Sequence, residues 1–492
     1  MKPTIPILLL ALAAAAFADP IVLGPASAKA PFSLAKDTTA ITEPLNPDGT
    51  VDYVAALNQR AAAHLDPKDN GWALWVQLRG APEIPTSTGP AMLRMAGADP
   101  LPVRPLLPTY IEYLQQEVGL TVNAAVAADD DRITAGKRLW KPGDFPYLAD
   151  YLDSEKSALE VASRAARKPA WWIPTVSADD SLISALLPGL ASERDIGNTL
   201  LARATLRAGA GDFNGFLEDL LTVKKLARHP NDTYIICDLV SIAIDAAADR
   251  TLCAVAASGT LTTPQLRQLS DALAALPPVN PVSRSLDIGE RWMLLDTIAK
   301  IATRKLATMP ADELATDVYK SITLKDVDWD LVLRQTNGAI DEELTLVAIP
   351  EYAKRKAAFA AFDKKWIAVE NPENLPPILI LAKKFKEPRD VYSRRVANGI
   401  ISTLLPSLGR AFDIEQQQTL TENLTRTLLA AAAFKARTTH WPAKLSDLIP
   451  QDLPQLPSDF NNNPPTYMLT PSGPQITATA NKAFTLGALP HP

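Results

Sequence analysis

Residues 211–230 read "GDFNGFLEDLLTVKKLARHP" and carry the clearest periodicity in the chain. Phe213, Phe216, Leu217, Leu220 and Leu221 fall at steps of 0, 3, 4, 7 and 8, which is a single apolar stripe along a helix. The segment before it, about 193–208, reads as a second helix that ends at Gly209 and Gly211, so the two form an antiparallel hairpin. The next helix is expected over about 231–257. Its "IICDLVSIAIDAAADRTLCAVAA" is apolar on most sides, which marks it as central and buried. The fold class expected is therefore all-α, a multi-helix array of antiparallel helical hairpins.

Outward from this centre the pattern continues. Short helices are expected in "VDYVAALNQRAAAHL" (51–65) and "NGWALWVQLRG" (70–80), joined by a turn at "HLDPKDN", and further helices over 109–168. "LTTPQLRQLSDALAAL" starts a helix with Thr263 as N-cap and Pro264 at the first helical position. Helices are expected in "RSLDIGERWMLLDTIAKIATRKL", over 310–371 and 378–412, and in a last long stretch at 414–437, where Leu420, Leu424 and Leu428 recur every four residues. Breaks fall at a Pro/Gly-rich connection (81–108), at "KPGDFPYL", at the extended crossing segment "KPAWWIPTV" (168–176) and at "ENPENLPP". With 42 prolines against 21 glycines, proline-marked turns between helices suit the composition. The 193–230 hairpin loosely resembles one tetratricopeptide-type unit, but no second copy follows at a period near 34 residues, so no repeat array is expected.

The N-terminus gives an address. Lys2 precedes an apolar run from Ile5 to Phe17, and Ala16-Phe17-Ala18 precedes Asp19. This is the pattern of a secretory signal peptide (1–18) cleaved after Ala18, so an exported, periplasmic or extracellular protein with no transmembrane span after cleavage is expected. Residues 19–50, rich in Pro, Ala and Thr, read as an extended arm. A helical region (51–190), a central helical domain (191–412) and a C-terminal unit (413–492) complete the organisation. The net charge of −6 and the lack of a basic run exclude a nucleic-acid footprint. Cys237 and Cys253 lie 16 residues apart, about 24 Å along a helix, too far for a bridge that needs roughly 7 Å, so two buried thiols are expected.

One candidate site is acidic. Asp238, Ser241, Asp245 and Asp249 fall at steps of 0, 3, 7 and 11 on the apolar helix, hence on one face. Buried carboxylates need partners. Arg203 and Arg207 on the neighbouring hairpin are candidates, as are Asp287, Glu290 and Arg291 in "DIGERW" as fellow members of a polar pocket. The functional reading is paired carboxylates (Asp238, Asp245, Asp249, Asp287, Glu290) for acid–base or metal chemistry between helices. The structural reading, which is favoured because ion-pair networks perturb carboxylates as often as active sites do, is a narrow solvated stripe plus structural salt bridges. A second candidate is the pair Trp171-Trp172, which would stack sugars or peptides if exposed and would anchor the crossing segment if buried. No metal or cofactor is expected. The four histidines (His64, His229, His440, His491) lack ligand spacing, no Cys ligand pair exists, and neither a Gly-x-Ser-x-Gly elbow nor a phosphate loop is present.

The C-terminal stretch is different in kind. In "LLAAAAFKARTTHWPAKLSDLIPQDLPQLPSDFNNNPPTYMLTPSGPQI", Trp441-Pro442, Leu445, Leu448, Leu456-Pro457, Asp459 and Tyr467 follow a helix end, and "TPSGP" (470–474) makes a hairpin turn. Residues 425–480 resemble the C-terminal globular part of type II secretion pseudopilins, which implies a small α+β cap with a short hairpin. The pilin-type membrane helix is missing, so pilin assembly is not implied. In some pseudopilins the loop holds calcium. Here Asp459, Asn461, Asn462 and Asn463 offer one formal charge, which favours an Asn-rich turn. "AALNQRAAAHLDPKDNGWALWVQLRG", "SALEVASRAARKPAWWIPTV" and "ARATLRAGAGDF" make most of the remaining chain similar to an uncharacterised group of large exported bacterial helical proteins that end in this cap. That likeness implies no activity. The expected function is a non-catalytic protein-interaction or structural component of the cell envelope, with other envelope proteins as partners. The alternative is a hydrolase-like enzyme using carboxylates of 238–291.

Overall fold

A computed structural model describes residues 29–63, 65–185, 187–229, 233–303, 327–367, 388–405, 408–459, 462–470, 473–478 and 485–487. The signal-peptide reading, "ENPENLPP", the helical expectations over 310–326 and 378–387, and His64, His491 and Asn461 lie outside the described residues.

The chain is all-α with a small β cap. Its helices are α1 Tyr53–Ala62, α2 Gly71–Arg79, α3 Gly89–Ala96, α4 Tyr110–Gln116, α5 Val122–Ala135, α6 Pro146–Ser154 and α7 Lys156–Ala166. The central hairpin is α8 Leu190–Gly209 and α9 Phe213–Leu226, and the apolar helix is α10 Ile235–Ala257. Then come α11 Thr263–Ala274, α12 Val282–Ser285, α13 Arg291–Thr303, α14 Trp329–Val347, α15 Tyr352–Trp366, α16 Arg389–Leu404 and α17 Gly409–Thr438. The cap holds β1 Thr466–Thr470, β2 Gly473–Thr477 and β3 Thr485–Gly487, an antiparallel sheet in the order β1-β2-β3.

Four sequence expectations need correction. The connection over 81–108 contains α3, started by Pro90 in its first turn and closed by Gly97 in the left-handed conformation. The cap of α11 is Thr262, one residue earlier than expected. Gln265 then stands at the third helical position and completes a capping box with Thr262 (Gln265 Oε1 accepts from Thr262 N at 2.9 Å), which shifts the N-cap. "RSLDIGERW" is not one regular helix, because Leu286–Glu290 forms a π turn between α12 and α13. The last helix begins at Gly409 rather than 414.

Three apolar clusters share two helices. The first core gathers α2, α4–α9 and the later part of α10, with Trp75, Leu114, Tyr151, Leu200, Phe216 and Leu252 all buried. The second gathers α1 and α12–α16 with Tyr53, Leu295, Trp329 and Ile401 buried, and takes Ile235 and Ile242 from the start of α10. The third joins Leu420, Leu424 and Leu428 of α17 to Leu445, Leu448 and Ile476 of the cap. So α10 and α17 run through all three: α10 also gives Cys253 to the third, and α17 gives Phe412 to the second and Leu429 to the first. The buried free thiols Cys237 and Cys253 match the helical spacing. The N-terminal arm is docked on α14, where Ser33 N and Oγ donate to Asp330 at 2.7 and 2.9 Å and Asn337 Nδ2 donates to Thr38 O at 2.7 Å.

The π turn lets one backbone cross another. A Cβ on Gly289 would collide with the Thr233 carbonyl, so the crossing before α10 requires glycine there. Gly289→Ala should therefore force the two segments apart and cost on the order of 2–3 kcal/mol, the scale of overpacking in a closed core. Urea unfolding followed by circular dichroism measures this, and an unchanged midpoint would contradict the assigned crossing.

Candidate functional site

The acidic face of α10 is buried, and its partners come from α9, the turn that follows it and α17. Asp245 and Asp249 are 0% and 1% exposed. Lys224, itself buried, approaches Asp249 at 2.6 Å and Asp245 at 3.1 Å. Arg228 forms an ion pair with Asp245 and extends to Glu422. From α17, Gln418 Nε2 donates to Asp245 at 2.5 Å and to Asp249 at 2.9 Å. Two cations and one amide thus hold two carboxylates across three helices. Burial holds Asp249 above the ordinary carboxylate range, against the pull of Lys224, and the neighbouring Asp245 adds to the rise.

The other residues of the acidic candidate are elsewhere. Asp238 is buried and accepts from Asn280 Nδ2 at 3.0 Å. Glu290 accepts from the Ile235 amide at 3.0 Å, at the start of α10, and burial pushes it up to about 7. Asp287 is more than half exposed and pairs with Arg291 at 2.8 Å, which also reaches Asp341 at 2.7 Å and Asn337 Oδ1 at 2.9 Å. The stripe therefore does not open into one pocket with Asp287 and Glu290. Arg203 and Arg207 are not its partners either. They grip Asp219 on α9, at 2.6 Å and 3.0 Å, because the hairpin brings Asp219 opposite them first.

The sequence reading missed Lys224, Arg228, Asp219, Gln418 and Glu343. A signal for the first was present: Lys224 lies four residues after Leu220, so it continues the apolar stripe of α9, whereas Arg228 falls just past the helix end. A charge on a buried stripe implies a buried counter-charge.

Trp172 is 9% exposed, and its backbone is bonded on both sides to the Asn70 side chain (2.9 and 3.0 Å). Trp171 stacks on the His229 ring at 4.6 Å and meets Trp75 edge-on at 5.5 Å. The Trp171 ring is built into the packing of α2 against the crossing segment, and Trp172 is buried beside it in the chain. Burial pushes His229 down to about 4, which keeps it neutral under Trp171. Asp459 accepts from Asn463 N at 2.8 Å and Nδ2 at 3.2 Å, closing the Asn-rich turn on itself. Among the described residues no group of three His, Cys, Asp or Glu side chains is placed to hold a metal ion, and no helix is long and apolar enough to cross a membrane.

The two large cores differ in how they hold buried acid. In the first, most carboxylates meet cations: Asp195 pairs with Arg79 and, at 2.8 Å, with Arg132, and Asp219 meets Arg203 and Arg207, but Glu193 on α8 is buried with no ion pair among the described residues, and burial raises it to about 8. In the second, Glu290 and Asp296 lean on backbone amides, the latter on Leu182 N at 2.8 Å. Glu343 is 0% exposed and has no cation beside it among the described residues. Burial raises Asp296 to about 7, with Lys300 opposing, and raises Glu343 to about 8, with the Leu408 amide opposing. No family model, curated protein or solved structure matches the chain.

Two outcomes are expected. Lys224→Met leaves Asp249 without its cation in a closed core and should cost about 3–5 kcal/mol. Arg167→Ala breaks an exposed pair with Glu218 and should cost no more than about 1 kcal/mol. Chemical denaturation of both variants measures the contrast, and equal costs would contradict the assigned roles. The second concerns pH. The folded state keeps protons on Glu290, Asp296 and Glu343 up to about 7, 7 and 8, whereas the unfolded chain releases them near 4. The folded state binds more protons in that window, so these groups' contribution is full below the unfolded pKa and is lost as pH rises through the folded values. Stability should fall from pH 5 to pH 8, and Glu343→Gln should flatten the upper part of the slope. Thermal melts across that range, with and without the substitution, check the sign.

Proposed function

We propose that the chain is an exported, non-catalytic component of the cell envelope that binds other proteins through its helical surfaces and its pseudopilin-like cap. The observation that carries this reading is the closure of the acidic face of α10. A general acid or base must reach a substrate proton. Asp245 and Asp249 instead spend their oxygens on Lys224, Arg228 and Gln418 in the interior. Among the exposed residues of the cap are three large apolar side chains: Ile449 is 40% exposed, Met468 58% and Leu469 54%. Exposed apolar side chains on a small cap at the end of a long helix suit docking better than turnover.

The test is a pull-down from the native envelope fraction with a C-terminally tagged full chain, beside an Ile449→Asp variant. Removal of α17 would be a poor control, since Gln418 and Phe412 belong to the interior. The expected result is one protein recovered in stoichiometric amount with the intact chain and depleted at least ten-fold with the variant. The mature N-terminus, read by mass spectrometry, should be Asp19. A chain that keeps residues 1–18 in the cytosolic fraction, or that recovers no partner, would overturn the proposal.

A further inference from the structure

The cap ends in an open strand. In the order β1-β2-β3, β1 lies at the edge, and among the described residues nothing pairs with its outer side. Its register against β2 fixes which backbone groups face outward. Leu469 stands opposite Pro474, which has no N–H, so this pair is not hydrogen-bonded. By alternation the bonded pairs are Thr466 with Thr477, Met468 with Gln475, and Thr470 with Gly473. Tyr467 and Leu469 therefore direct both N–H and C=O away from the sheet. Proteins usually blunt such an edge with charge, proline or a cover. The five residues of β1, Thr466 to Thr470, carry no charge and no proline, and Met468 and Leu469 are more than half exposed.

We infer that β1 pairs antiparallel with β1 of a second copy of this chain, about a two-fold axis at Met468. The outward groups are their own complement. With Tyr467 opposite Leu469 of the second copy, and Leu469 opposite its Tyr467, all four outward groups of each strand are satisfied. Each such pair sets an aromatic ring beside an aliphatic side chain, and Met468 meets Met468, which are favourable cross-strand neighbours. An uncharged edge also lets two copies of a chain of net charge −6 meet without like charges directly opposed. Pro465 and Pro471 bracket the strand and limit the ladder to these five residues. A contact this short buries a few hundred Å², well under the roughly 1,200–2,000 Å² of stable interfaces, so the dimer is weak and depends on concentration. The inference rests on the proposed role only in taking the cap as a docking module.

The experiment is oxidative cross-linking of the purified full chain carrying Met468→Cys or Leu469→Cys. Across the axis the two residues at 468 have Cα atoms about 4.5 Å apart. The two at 469 are offset by two residues, about 8 Å apart from a rise near 3.4 Å and a strand spacing near 4.8 Å. A disulfide spans about 4.4–6.8 Å. The native Cys237 and Cys253 are buried, which leaves the introduced thiol as the reactive one. The expected result is a covalent dimer at 468 at least ten-fold more abundant than at 469. Sedimentation of the unchanged chain should show a monomer–dimer equilibrium that Met468→Lys abolishes, with the circular dichroism spectrum unchanged because the side chain is exposed. Equal cross-linking at both positions, or a chain that stays monomeric at every concentration, would overturn the inference. Because purified protein is used, either outcome is independent of whether an envelope partner is recovered.

Discussion

The structure depends on one buried electrostatic cluster. Lys224 of α9, Arg228 in the turn that follows it, Asp245 and Asp249 of α10, and Gln418 of α17 meet where three helices cross. Such a cluster is weak evidence of net stability, because moving the charges out of water costs about as much as their attraction returns. Its effect is on arrangement. An apolar helix such as α10 could pack in many rotations, but only one places both carboxylates against both cations and the Gln418 amide. The neighbouring leucines then interdigitate in the register that the charges permit.

The contrast between the cores follows from the same chemistry. Around α8 and α9 Asp195, Asp219, Asp245 and Asp249 are each matched to an arginine or lysine, whereas Glu193 on α8 has no ion pair among the described residues, and burial raises it to about 8. Around α13 and α14 Glu290 has a backbone amide, Asp296 has Lys300 and a backbone amide, and at Glu343 the remedy is the proton itself. An amide offers a fixed partial charge and cannot compensate a full negative charge in a closed interior.

How far the sequence carried the reading can be judged residue by residue. The stripe Phe213–Leu221 and the all-round apolar α10 were legible because helical period is a local property, and they place the centre of the fold. The hairpin of the cap was legible from Pro and Gly around "TPSGP". The partners of the acidic face were not. Gln418 stands 173 residues from Asp245, and no local pattern links them. Arg203 and Arg207 looked available to α10, but Asp219, 16 and 12 residues away through the hairpin turn, reaches them first. The π turn escaped because its cause, the carbonyl of Thr233 beside Gly289, belongs to a different segment. Local physics wrote the helices, and long-range contact decided what their polar faces do.

The position of α17 has a bearing on the order of events during biosynthesis. The helix follows every other described α-helix in the sequence, yet it supplies Gln418 to the central cluster and Phe412, Leu428 and Leu429 to three separate cores. Until it emerges, Asp245 and Asp249 lack one of their donors and a long face of α10 lies bare. Closing loops of this span is slow, since contacts distant in sequence form late. The fold cannot lock until residues as far as Leu429 have been made, so α1 to α16 wait, incompletely packed, on a helix that follows them all.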